Sequence, residues 1–179
     1  DGQHGGILAV NYLLSRGHKR IAWLGPSLKD GHYMDRLSGY TVACQRAGIE
    51  MELWDGDPTK AQDLVAEKLR SSKRPTGVVA LWASLAQAAV RAAVRVGLKP
   101  GKEFELVGWS IEEGLAEYGA GFPAGLVPPT LLWSARTMAE VALARLAERR
   151  LAPDLPALRV KVPVRLIQRP GEQKEGGAR

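Results

Sequence analysis

Through its first 108 residues the chain keeps changing period, helical spacing giving way to short apolar runs, with Gly or Pro at most of the changes. Ile7, Leu8, Tyr12 and Leu13 recur at helical spacing until Gly17, and Arg20 to Leu24 is an apolar run closed by Gly25-Pro26. The first pattern reads as a helix and the second as a buried strand. Arg36 to Ala47 reads as a second helix closed by Gly48, followed by a short strand from Glu50 to Trp54. Asp57-Pro58 supplies an N-cap and a first-turn proline for a third helix ending near Ser71. Gly77 to Leu81 is a continuous apolar strand, Ser84 to Val96 an Ala-rich helix stopped by Gly97, and Phe104 to Val107 a further strand. Strict alternation of this kind predicts an α/β fold, a parallel sheet with helices on both faces.

The last third is less regular. Residues 114–130 are rich in Gly and Pro and read as a long loop. Ser134 to Arg150 reads as a helix with one apolar face and one carrying arginines, ended by Pro153 and Pro156. From Leu158 to Ile167 apolar and basic residues alternate, which predicts a half-exposed edge strand that tolerates Pro163. No internal repeat is evident.

A chain of 179 residues is the size of one domain or two small lobes. No apolar run approaches the roughly 20 residues needed to cross a bilayer, so no membrane partner is expected and a cytoplasmic location is inferred. Cys44 is the single cysteine, which excludes a disulfide framework or a multi-cysteine metal site. The net charge of +6 invites a nucleic-acid reading, yet residues 159–179 hold six basic and two acidic side chains and account for four of those charges. That stretch lacks interleaved aromatics and any groove-reading motif, and residues 171–179 read as a solvated, flexible basic tail.

Enzymatic motifs are incomplete. Gly108-Trp109-Ser110-Ile111-Glu112 follows a strand as a nucleophile elbow does, but lacks its second glycine, and all three histidines precede Ser110. His4, His18 and His32 do not have metal-ligand spacing on one helix; His18 suits the negative end of the first helix. Gly25-Pro26-Ser27-Leu28-Lys29 lacks the ending of a phosphate loop. No catalytic residue, metal or cofactor is expected.

The order Asp1-Gly2-Gln3-His4-Gly5-Gly6, Gly17-His18-Lys19-Arg20-Ile21-Ala22-Trp23-Leu24-Gly25-Pro26 and Arg36-Leu37-Ser38-Gly39-Tyr40 resembles the effector-binding domain of LacI-type transcriptional regulators. Gly97-Leu98 with Pro100, Val107-Gly108 and Pro128-Pro129 continue the family's order. The resemblance implies a periplasmic-binding-protein-like fold, entered partway, with the helix-turn-helix and about half of the first lobe lying before Asp1. It divides residues 1–170 into a second lobe (about 15–132 and 158–169) and crossing segments with first-lobe remnants (1–14 and 133–157). It further implies a small-molecule effector, a homodimer, and operator DNA contacted only through the missing N-terminal domain. A solute-binding protein of the same fold, or an interaction module with a degenerate pocket, are the alternatives.

Ligands of open α/β sheets bind beyond the carboxyl ends of the strands, which selects Gly25 to Arg36, Trp82 to Ser84 and Trp109 to Glu113. By resemblance, Arg36 matches an arginine that hydrogen-bonds effector, and Asp1 a carboxylate at the lobe crossing; the plainer readings are a surface arginine and a chain end. Where the family has Asn-Asp and an aromatic followed by Asp, this chain has Trp82-Ala83 and Trp109-Ser110. Two acceptors for sugar hydroxyls are gone, so the effector is expected to be less hydroxylated than a sugar, or binding has been lost. Trp82, Trp109 and Trp133 then either stack on a flat ligand or fill the space between lobes. Trp23, inside a strand, is core.

Overall fold

The computed structural model describes residues 1–26 and 30–169. Its elements alternate as predicted: α1 (Gly2–Ser15), β1 (Ile21–Gly25), α2 (Gly31–Ala47), β2 (Glu52–Asp55), α3 (Ala61–Leu69), β3 (Gly77–Ala80), α4 (Ala83–Arg95) and β4 (Glu105–Ile111). A 3-10 turn, Glu112–Gly114, leads into α5 (Leu115–Ala120), β5 (Thr130–Trp133), α6 (Ala135–Leu151) and β6 (Arg165–Ile167). The six strands lie in the order β2-β1-β3-β4-β5-β6, parallel except for β6, which runs antiparallel to β5 at the edge.

Successive residues of a strand point to opposite faces, and here both faces are covered. Ile21 and Trp23 pack with Val79, Val107, Trp109 and Leu131 under α1 and α2, whereas Ala22 and Leu24 pack with Val78, Ala80 and Leu106 under α3 and α4. That double burial is why the strand sequences are continuously apolar rather than alternating. Trp23 is fully buried, as read from its strand position.

Helices α1 and α2 touch backbone to backbone. A Cβ on Gly39 would lie 1.9 Å from the Gln3 carbonyl oxygen, and one on Gly6 would lie 2.3 Å from that of Arg36. These two glycines, with no side chain, thus set the spacing of the two helices and, through it, the height of Arg36 above the sheet. Gly48, at φ 65°, closes α2 in the left-handed conformation that glycine adopts without strain.

Several boundaries differ from the sequence reading. Helix α2 begins at Gly31, five residues before Arg36, because Asp30 caps it by accepting from the Tyr33 amide at 2.8 Å. Asp57 is not the N-cap of α3: its carboxylate folds onto the Thr59 amide and hydroxyl in a local turn, and the helix starts at Ala61. Residues 114–130 are not one loop, since α5 occupies Leu115–Ala120 and buries Tyr118. Thr130–Trp133, too short to show a period, is a buried parallel strand beside β4. The edge strand is shorter than predicted: only Arg165–Ile167 pairs, and Leu158 and Val160 lie exposed before it. His18 does not cap α1; its Nδ1 lies 3.0 Å from the Thr76 hydroxyl, and Arg16 ends the helix. Helix α1, capped by Asp1, packs on α2 and on the same sheet as the rest. The expected flexible tail, 171–179, lies outside the described residues, as do Ser27 to Lys29 of the glycine-proline loop.

Candidate functional site

Strand order 2-1-3-4-5 places the topological switch between β1 and β3, where chain connections leave toward opposite faces and a crevice opens beyond the strand ends. A cleft of about 640 Å³ occupies that position, within the range of small-molecule sites. Pro26 after β1, Leu81-Trp82 after β3, Trp109 on β4 and Trp133 at the end of β5 form its floor and wall. Tyr33 and Arg36 come from the first turns of α2, and Met138 from α6. A shallower groove continues from it over Ala83, Ser110 and Ile111 and shares Arg36, Trp82, Trp109 and Trp133.

Arg36 is the centre of the arrangement. Its guanidinium carbon lies 4.5 Å from the centroid of the Trp109 ring, a cation–π contact worth about 0.5–2 kcal/mol depending on desolvation. Burial lowers its pKa, and the Asp30 carboxylate partly offsets that. Among the described residues it makes no hydrogen bond or ion pair. Trp109 is itself 4% exposed, and its Nε1 finds no acceptor among the described residues. The indole is held from below by Gly5, where a Cβ would lie 2.5 Å from the ring, and by Val164.

The other charged groups on the cleft wall are engaged. Asp35 pairs with Arg159 at 2.6 Å, and Asp30 is occupied with the start of α2. Asp1 lies 3.7 Å from Lys161 and accepts from the His4 amide at 3.1 Å, and its nitrogen donates to the Val162 carbonyl. Desolvation also raises the Tyr33 pKa, which keeps its phenol protonated.

The fold therefore brings Asp1, Arg36, Trp82 and Trp109 to one cleft and places Ser110 in the adjoining groove only. The Ser110 hydroxyl donates to the Ile111 carbonyl at 3.4 Å. Sequence reasoning covered Tyr33 and Asp35 within Gly25 to Arg36 without singling them out, and it missed Met138 and Lys161. Starting α2 at Arg36 hid the first two, although Asp30-Gly31 before an apolar pattern is a capping signal. Lys161 and Met138 reach the cleft only because residues 159–164 and α6 fold back over it, which no local pattern encodes. Among the described residues no three His, Cys, Asp or Glu side chains are grouped as metal ligands, and no helix is long and apolar enough to cross a membrane.

Comparison with known proteins agrees with this layout. The model of the periplasmic binding protein-like domain matches residues 10–170. The chain is 31% identical over 111 residues to the HTH-type transcriptional repressor PurR of Proteus mirabilis, covering 59% of this chain and 33% of the relative. It thus spans about a third of the length of the curated relatives it matches. In fold it is similar to a LacI family transcriptional regulator from Enterococcus faecium solved with bound ribose (TM-score 0.75, 24% identity, 94% of this chain and 62% of that one). The Lac repressor bound to ONPG superposes as well (TM-score 0.77, 22% identity, 94% and 50%).

A parallel sheet with its cleft at the switch point and a family match over most of the chain define a periplasmic binding protein-like domain. The chain belongs to that family, and the relatives and solved structures it is similar to are named as transcriptional repressors and regulators.

Proposed function

We propose that these residues form the effector-sensing and dimerisation part of a DNA-binding transcriptional regulator. Arg36, Trp109 and Trp82 receive a small molecule, with Asp1 and Ser110 at the margins of the site. The observation that carries this reading is the Arg36 guanidinium, half-buried over Trp109 in the switch-point cleft with no hydrogen bond or ion pair among the described residues. Burying a charge without a partner costs stability, and a fold that tolerates the cost at its ligand end does so for a ligand. Ligand binding would shift a population of lobe arrangements, and operator contact would be made by a helix-turn-helix outside these 179 residues. The sequence relatives, named as HTH-type transcriptional repressors, favour a cytoplasmic regulator over a solute-binding protein.

In this reading residues 133–157, whose helix α6 has no buried residue, lead toward a first lobe. Thermal shift and calorimetry against a metabolite panel test it: a ligand should raise the melting temperature, and Arg36→Ala should weaken that ligand about tenfold or more, given about 1.5–3 kcal/mol for a hydrogen bond to a charged group. Unchanged affinity in Arg36→Ala defeats the assignment. Light scattering at micromolar concentration should show a dimer, and a monomer would defeat the dimerisation role.

A further inference from the structure

We propose that the cleft takes a flat aromatic carboxylate, one anionic group on a planar apolar body, rather than a polyol. This rests on the effector-binding reading above and specifies its ligand class. Three independent features of the site converge on it.

The first is the sign of the charge left open. Around the cleft, Asp35 is paired with Arg159, Asp1 with Lys161, and Asp30 holds the amide that starts α2. Arg36 alone among these groups makes neither a hydrogen bond nor an ion pair with any described residue, although it is half-buried. A ligand entering here meets an uncommitted cation and three committed carboxylates, which favours an anion.

The second is the geometry of that cation. Its partner is an aromatic face, Trp109, and a ring contact leaves the in-plane N–H fork of a guanidinium available. Two parallel N–H donors match the two oxygens of a carboxylate. Trp109 Nε1 is a further donor on the cleft wall without an acceptor among the described residues. A polyol brings donors as well as acceptors, and the carboxylates on the cleft wall that could accept from them, Asp1, Asp30 and Asp35, are already engaged with protein groups.

The third is the wall facing the cation. Trp82, 39% exposed at the switch point, and the partly exposed Trp133 and Met138 line the same cleft with apolar surface. Exposed tryptophan is costly in water and gains most from a planar ligand.

Calorimetry on the 179-residue chain with benzoate and 2-naphthoate, their neutral amides benzamide and 2-naphthamide, and ribose separates the outcomes. Expected are binding of the carboxylates with quenching of tryptophan fluorescence, and amide affinities about tenfold or more lower, the loss of a charge-assisted contact. Arg36→Gln should abolish the carboxylate preference while changing amide affinity little, and Trp82→Ala should weaken acids and amides alike. Near-ultraviolet circular dichroism checks that each variant keeps its fold, and Arg36→Lys, which keeps the charge but not the fork, should retain only part of the preference. Equal affinity for acid and amide overturns the proposal. Binding of ribose without the carboxylates also overturns it, while leaving the effector-binding function standing. Failure of all five probes to bind the folded chain counts against both.

Discussion

Gly39 and His18 show two ways in which a single side chain, or its absence, governs this molecule. At Gly39 any Cβ would meet the Gln3 carbonyl of α1 at 1.9 Å, an atom that cannot rotate away. Gly39→Ala should therefore push α1 off α2 and cost about 1–3 kcal/mol, the range for overpacking, read as a lower urea midpoint. Because α2 carries Arg36, ligand affinity should fall with it. At His18, burial chiefly and Arg16 secondarily lower the imidazole pKa below its usual 6.5. The folded state then holds the proton less tightly than the unfolded chain, so stability is full above pH 6.5 and declines as pH falls from there toward the folded pKa. His18→Gln, which keeps a partner for Thr76, should flatten that decline in urea midpoints measured between pH 7.5 and 5.

At the scale of elements, α6 differs from the other long helices. Helices α1, α2 and α4 each bury a face, whereas none of the 17 residues of α6 is buried. The sequence gives it one apolar face, but helical periodicity states only that a face exists, not that anything covers it. What holds its start is polar: Glu113 accepts from the Ser134 hydroxyl at 2.7 Å and from the amides of Ala135 and Arg136, while Ser134 accepts from Thr137. These bonds, that of Ser134 first, depress the Glu113 pKa to about 2. The sign follows: the contact is intact above the usual carboxylate pKa near 4.5 and is lost as pH falls toward 2. Amide chemical shifts of Ala135 and Arg136 should move in that window, and Glu113→Gln should abolish the titration. Amide hydrogen exchange should be faster throughout α6 than in α1 or α4.

Across the whole molecule, one ion pair ties the end of the described chain to the foot of the sheet. Glu105, 1% exposed at the start of β4, receives Arg169 at 2.8 Å, and Arg169 Nε also donates to the Val127 carbonyl. The pair links β6, β4 and the segment before β5, the elements added after the regular alternation ends. Removing one partner of a buried pair typically costs about 3–5 kcal/mol, so Arg169→Met should lower the urea midpoint well beyond what Arg95→Met, at an exposed pair with Asp63, would do. No local pattern announces this pair, because its members lie 64 residues apart.

The elements up to β4 were legible because each buries a face, and burial writes a period into the sequence. Trp23 is core for the same reason. The short strand β5 was not, since four residues carry no period, nor was the start of α2, where polar capping rather than apolar spacing decides. For the site, strand ends selected the segments that hold Arg36, Trp82 and Trp109, because connectivity of a parallel sheet dictates where its crevice opens, and the family resemblance singled out Arg36 among them. By itself, then, the sequence determined the alternating α/β layout and which strand ends meet. Only the tertiary structure decided that Arg36 lies over Trp109 with no ion-pair partner among the described residues while its carboxylate neighbours are taken. Which charges pair across a cleft depends on distances between residues far apart in the chain, and such distances exist only once the chain is packed.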